Sequence, residues 1–260
     1  MENIYTKAKD EKELKEMIDK RLETLYSNAG ERKVLGYESV TPLKGIIPKE
    51  TLIDNGDSYF KIENDEYLYE FMMLLKKHNM TEIGDAVRNL SSYLDYYFGK
   101  NGNEDIRRQI LNENIDGDNY HDISILKGKN AAMCAERAAM AQNIFSFLGI
   151  ESYYISGDIE VGEQKGPHAY NIIKLDEKMF LYDSTARVPI YKDGNYVASR
   201  HFIQEIDSKI GEEPKINTEI ETEEYRLDVV ANGFEQKKIG TRRYAIGVNV
   251  LKDKKNDMER

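Results

Sequence analysis

The chain of 260 residues has one cysteine, Cys134, and no tryptophan. A single cysteine forms no internal disulfide and builds no thiolate zinc cage. No run approaches the roughly 20 consecutive apolar residues that a membrane-spanning helix needs. The N-terminal MENIYTKAKDEKELKE lacks the apolar stretch of a secretory signal. Positive charge is also short. Against 47 Asp and Glu there are 37 Lys and Arg, a formal net charge of -10. That balance argues against nucleic acid or an anionic membrane as a general partner. Only 5 residues are proline, and neither a Pro/Gly/Ser linker nor an internal repeat divides the chain. There is no phosphate loop, dinucleotide signature or metal-ligand cluster, so neither cofactor nor metal is expected. The expected setting is the cytoplasm, with export by a non-classical route open. No pattern speaks to oligomeric state.

What is present is long enough to bury a substantial core. Residues 10 to 27 carry apolar residues at helical spacing (Leu14, Met17, Ile18, Leu22, Leu25), and Asn28-Ala29-Gly30 stops the pattern. Residues 31 to 58 read as extended and irregular, with turn signals such as Asn55-Gly56. Helices are expected at 65 to 78, at 81 to 98 with Thr81 as its cap, and at 104 to 113. NIDGDNYHD then reads as a polar loop.

After about residue 150 the character changes. ESYYISGDIEV, HAYNIIKL and MFLYDST have the β-branched and aromatic pattern of strands, as do ETEEYRLDVV and TRRYAIGVNVL. GEQKGP reads as a turn, 199 to 210 as a short helix, and KDKKNDMER as a fraying tail. The fold class is therefore α+β, with a helical N-terminal region at 1–115 and a second region at 116–255, joined in one continuous unit.

The chemistry centres on GKNAAMCAERAAMAQNIFSFLGI, residues 128 to 150. A helix beginning near Asn130 puts Cys134 in its first turn. Unpaired backbone N–H groups and the positive dipole end lie there, and both lower a thiol pKa. Ala138, Ala141, Phe145 and Leu148 share its face, so packing is the competing reading for this thiol. A nucleophilic thiol needs a base, and the base needs an orienting acceptor. Of four histidines, His78 closes a charged helix and His201 follows Arg200, both surface positions. His121 lies in the acidic loop, on the surface or at a site. His168 opens a strand where a loop meets a sheet.

The next strand ends Tyr182-Asp183-Ser184-Thr185. A two-residue turn at Asp176-Glu177, or a four-residue loop at 175 to 178, makes paired positions sum to 353, which places His168 and Asp183 diagonally on one face, in hydrogen-bond reach; a three-residue bulged loop would break that parity. Taken alone, Asp183 reads first as a strand-end carboxylate starting a turn.

Cys134, then His168, then Asp183, on helix, strand and strand, resembles the core of the transglutaminase-like (papain-like) cysteine enzyme superfamily. The matching pieces are MCAERAAMAQNIFSFLGI, ESYYISGDI, HAYNIIKL and FLYDSTAR, over about residues 125 to 187. Met133 precedes the cysteine, Ala132 stands where a glycine is common, and Tyr170 stands where a tryptophan is common.

The resemblance implies a Cys-bearing helix packed on an antiparallel sheet, and acyl transfer at an amide carbonyl of a protein or peptide. Cys134 would be the nucleophile, His168 the base and Asp183 its orienter. The Cys134 N–H would be an oxyanion donor, with a second from residues 118 to 124. The polar stretch 157 to 167 reads as a gate or as an ordinary hairpin loop. Two alternatives stand beside this reading. One is an arylamine N-acetyltransferase-like protein, although the arginine/glycine-rich run expected before its cysteine is missing. The other is a non-enzymatic binding or scaffold domain of the same fold.

Overall fold

A computed structural model describes residues 7–36, 42–56, 58–100, 102–114, 120–207 and 213–247. The charged tail after Leu251 and residues 118–119 of the oxyanion pool lie outside them. The chain forms two compact units. The first comprises Met1–Leu35 and Lys44–Ser152, the second Gly36–Leu43 and Tyr153–Arg260.

The first unit is mainly helical. Its helices are α1 (Glu11–Ser27), α2 (Glu66–Lys77), α3 (Ile83–Phe98), α4 (Glu104–Asn114) and α5 (Cys134–Leu148). The first four follow the expected segments closely, because their apolar spacing and end charges agree. α1 begins where the Asp10 side chain accepts from the Glu13 N–H at 2.8 Å. The cap expected at Thr81 falls instead on Glu82, extended at φ -93° and ψ 139°, with no side-chain capping bond. Thr81 therefore stands one residue outside the helix.

α5 begins at Cys134, four residues later than the Gly/Lys/Asn loop suggests. Every residue from Ala135 to Leu148 is buried. The small face foreseen beside the thiol is thus part of a helix enclosed on all sides. Alanines at 135, 138, 139 and 141 give it high intrinsic propensity and a slim surface. It ends in a Schellman motif. Gly149 is left-handed at φ 73°, its N–H bonds Ser146 O, and the Ile150 N–H bonds Phe145 O.

Four short strands complete this unit: β1 (Val34–Leu35), β3 (Leu52–Asp54), β4 (Tyr59–Lys61) and β5 (Tyr120–Asp122), ordered β1-β3-β4-β5. β5 runs parallel to β4, with His121 opposite Phe60. β2 (Leu43–Lys44) pairs with β6 in the larger sheet.

The second unit consists of long strands: β6 (Glu151–Val161), β7 (Gln164–Leu175), β8 (Lys178–Lys192), β9 (Asn195–Ile206), β10 (Thr218–Val230) and β11 (Gly233–Ile246). They are ordered β10-β11-β6-β7-β8-β9, and β10 also pairs parallel with β8 through Leu227↔Ile190 and Asp228↔Tyr191. That extra pairing closes β8, β10, β11, β6 and β7 into a five-stranded barrel, with β9 outside the ring on β8. Alternate residues, among them Ile155, Tyr170, Ile172, Leu181 and Tyr244, form its apolar core. Gly157 sits where β6 meets β11 so closely that a Cβ would lie 1.7 Å from Ala245 O. The strand cannot carry a side chain there.

One expectation in this unit is corrected. The described part of the segment expected as a helix at 199–210, residues 199–207, is not helical, and 208–210 lie outside the described residues. Asp193-Gly194, both at positive φ (51° and 78°), form a tight turn that folds β9 back along β8. An Asp-Gly pair between strands is a strong hairpin signal and outweighs the weak helical pattern. For 157–167 the structure gives the hairpin reading and not the gate. Only Gly162 and Glu163 turn, and 164–167 already belong to β7.

Candidate active site

The site is clearest in the barrel. Asn171↔Tyr182, Ile172↔Leu181 and onward to Leu175↔Lys178 are the β7–β8 partners, and each pair sums to 353. Asp176 and Glu177 make the connecting turn with both φ values positive, 48° and 64°, the two-residue geometry that matches strand twist. Past Tyr182 the pairing ends, and His168 and Asp183 meet through their side chains. His168 Nε2 donates to Asp183 Oδ2 at 2.7 Å. Since an ionised carboxylate only accepts, Nε2 carries the proton. His168 is 9% exposed and Asp183 1%.

A bulge makes this carboxylate. On the other side of β8, Asp183 pairs with Phe202 but Arg187 pairs with His201. Ser184, Thr185 and Ala186 are therefore looped out of the ladder. The loop wraps back on its own aspartate. Thr185 N, Thr185 Oγ1 and Ala186 N donate to Oδ1 at 2.9, 2.7 and 3.1 Å. Tyr244 Oη from β11 donates to Oδ2 at 3.1 Å. Burial alone would raise the carboxyl's pKa. The charge of His168 and the hydrogen bonds of His168 and Thr185 outweigh it and hold the group well below the usual carboxylate range. Tyr170 stacks near His168 with centroids 6.2 Å apart and meets the Tyr244 ring edge-on at 5.0 Å. The Tyr244 phenol is pushed well above its ordinary value, first by burial and then by the charge of Asp183.

Cys134 lies in the first unit, as the first residue of α5, and is partly exposed. The first N–H groups of a helix have no partner within it, and their dipole favours a thiolate. Beside it a second polar assembly anchors the start of the helix. Glu136, fully buried, accepts the Met133 N–H at 3.0 Å and Asn55 Nδ2 at 3.1 Å, and pairs with Arg107 Nη1 at 2.7 Å. Further along, Asn143 joins Ile47 N and Tyr67 Oη, and Gln142 bonds the carbonyls of Gly45 and Ser152. The polar residues of α5 are its ties to surrounding loops.

The structure brings His168 and Asp183 together and sets Cys134 at a helix start in the other unit. His78 is exposed at the end of α2, as expected. His201 is half-buried on β9 and contacts Arg187. The surface placement of His121 is corrected. It is 3% exposed and packs against Phe60, with ring centroids 6.0 Å apart. β-pairing turns it inward, and neither ring nitrogen closes a regular hydrogen bond. Burial pulls its pKa down to about 4, outweighing the opposing pull of Glu136. Within the expected oxyanion pool, the Ser124 N–H is taken by Asp122 Oδ1 at 2.8 Å.

Sequence reading missed Tyr244, Glu136, Arg107 and Asn55. Tyr244 was detectable as an inward position in the alternation of RRYAI. Glu136 was detectable as an acid three residues into an otherwise apolar helix.

Among the described residues, no group of three or more His, Cys, Asp or Glu side chains is placed to hold a metal ion. No described helix is long and apolar enough to cross a membrane. No family model, curated protein or solved structure matches the chain.

Proposed function

We propose that this chain is a thiol-dependent acyl-transfer enzyme of the transglutaminase-like kind, acting on amide carbonyls of proteins or peptides in the cytoplasm. Cys134 is the nucleophile, His168 the base and Asp183 the residue that orients it. The observation that carries this reading is the buried His168–Asp183 hydrogen bond of 2.7 Å, built on a bulge whose backbone serves the carboxylate. A carboxylate clamped by its own loop holds one tautomer of the imidazole and stabilises its charged form. Because Nε2 faces Asp183, Nδ1 is the nitrogen that exchanges a proton with the thiol.

The steps follow. The Cys134 proton passes to Nδ1 as sulfur adds to the carbonyl carbon. The Cys134 N–H, at the positive end of α5, stabilises the oxyanion. Nδ1–H then protonates the departing amine, leaving a thioester on Cys134. Water or a second amine, deprotonated by Nδ1, attacks that thioester and releases the thiol.

Iodoacetamide labelling of Cys134 across pH tests the pairing. The expected result is half-maximal reactivity well below the ordinary thiol value of about 8.5, moved upward in His168→Ala. Reactivity centred near 8.5 and unchanged in that variant overturns the reading. Intact-mass trapping of an acyl-enzyme with peptides, amides and esters, against Cys134→Ala, separates an enzyme from a binding domain of the same fold. Acylation by arylamine acetyl donors alone would favour the N-acetyltransferase alternative.

A further inference from the structure

Asp183 Oδ2 serves two donors from different strands, His168 Nε2 at 2.7 Å and Tyr244 Oη at 3.1 Å. The Tyr244 hydroxyl is buried, and its ring lies 6.1 Å from that of His168. We propose that Tyr244 is a positioning residue of the His168–Asp183 pair, its hydroxyl sharing Oδ2 and so setting how strongly the carboxylate holds the imidazole's proton. The catalytic consequence rests on the acyl-transfer reading. The effect on the imidazole does not.

The two donors compete for one oxygen. Every hydrogen bond donated to a carboxylate spreads its negative charge and weakens its pull on a neighbouring cation. Oδ1 is already saturated by Thr185 and Ala186. Tyr244 is thus the group that loads the same oxygen the imidazole uses. A base clamped too strongly in its charged form gives up its proton reluctantly, and a shared oxygen moderates that clamp.

The other groups facing the phenol come from several strands. Tyr170 on β7 presents its ring. Arg242 on β11 acts on the phenol and is itself held by Glu224 of β10 at 3.1 Å. The Phe202 ring of β9 lies tilted to the Tyr244 ring, 6.1 Å away. On β8, Arg187 is directed to the Ser184 carbonyl and to His201.

The test reads His168 by proton NMR titration in the full chain carrying Cys134→Ala, so that no thiol contributes. The His168 resonance is assigned by its loss in His168→Gln. Tyr244→Phe should raise the His168 midpoint by about 0.5 unit or more, since the carboxylate regains charge. Site-specific 3-fluorotyrosine at 244 keeps the ring and hydroxyl but donates more strongly, and it should lower the midpoint. Opposite shifts in the two variants support the proposal. A midpoint unchanged within about 0.1 unit in both, or a fall in Tyr244→Phe, overturns it and leaves Tyr244 a packing residue. If Tyr244→Phe does not fold, the fluorinated protein decides alone. Because neither readout needs a reactive thiol, failure here is distinct from failure of the labelling test on Cys134.

Discussion

Each unit buries one carboxylate with a histidine in its field, and the two are wired differently. Glu136 is held by Arg107, by an asparagine and by the backbone at the start of α5. The histidine near it, His121, makes no regular hydrogen bond, and burial keeps it neutral through the physiological range. Asp183 is held by the backbone of its own bulge, by a tyrosine and by the histidine itself. A guanidinium does not lose its proton in proteins, whereas an imidazole exchanges it near neutrality. The first arrangement fixes a helix. The second is the one that the proposed function uses to move a proton. Two buried charges of equal formal size therefore do unlike work, and the difference lies in the partner.

Three variants break or sharpen this contrast. Arg107→Met should cost the most, about 3–5 kcal/mol, because it leaves Glu136 fully buried without its cation. Urea unfolding at pH 7 measures it, and adding Glu136→Leu should recover most of the loss. An effect below about 1 kcal/mol for Arg107→Met would mean that Glu136 is not the charge it compensates.

The next effect is a pH dependence. His121 has a pKa of about 4 when folded and about 6.5 when unfolded. Between these values the unfolded chain binds more protons, so stability falls as pH falls. The loss reaches about 3 kcal/mol by pH 4, about 2 of it by pH 5. In His121→Leu that contribution should vanish, so the stability difference between variant and parent narrows from pH 7 to pH 5 in the variant's favour.

The smallest effect is expected at Thr185→Val, which removes one hydroxyl from the five donors around Asp183 and should cost about 1.5–2 kcal/mol at pH 7. The depressed carboxyl of Asp183 contributes stability above the unfolded carboxylate range and loses it as pH falls through the folded value. The Thr185→Val deficit should therefore shrink in acid. A deficit constant down to pH 3 would assign it to packing instead.

The sequence was most legible where one local rule decided the structure. The helices of the first unit follow from apolar spacing and stop signals. The β7–β8 register follows from parity, because a two-residue turn at Asp176-Glu177 leaves no freedom in which residues share a face. That is why the His168–Asp183 contact could be expected from strand positions alone. His121 was illegible because its burial depends on Tyr59–Lys61, far away in sequence, lying alongside it. β9 was misread although its Asp193-Gly194 turn was in plain sight. The partners of Tyr244 and Arg107 resisted for the same reason as that of His121, although the alternation of RRYAI marks Tyr244 as inward. Each acts on a residue tens of positions distant, and nothing in its own neighbourhood marks which one.

The barrel closes late. Tyr244 lies 61 residues beyond the aspartate it serves, and β10, which pairs with β8 to shut the ring, also follows every residue of the proposed triad. During synthesis, Cys134, His168 and Asp183 all leave the ribosome before the strands that complete the wall. A nascent chain thus carries His168 and Asp183 in an open sheet, without the tyrosine's share of Oδ2. The hydrogen-bond set around Asp183 is finished only when the last hairpin docks, so the carboxylate's final partner arrives with the closure of the ring.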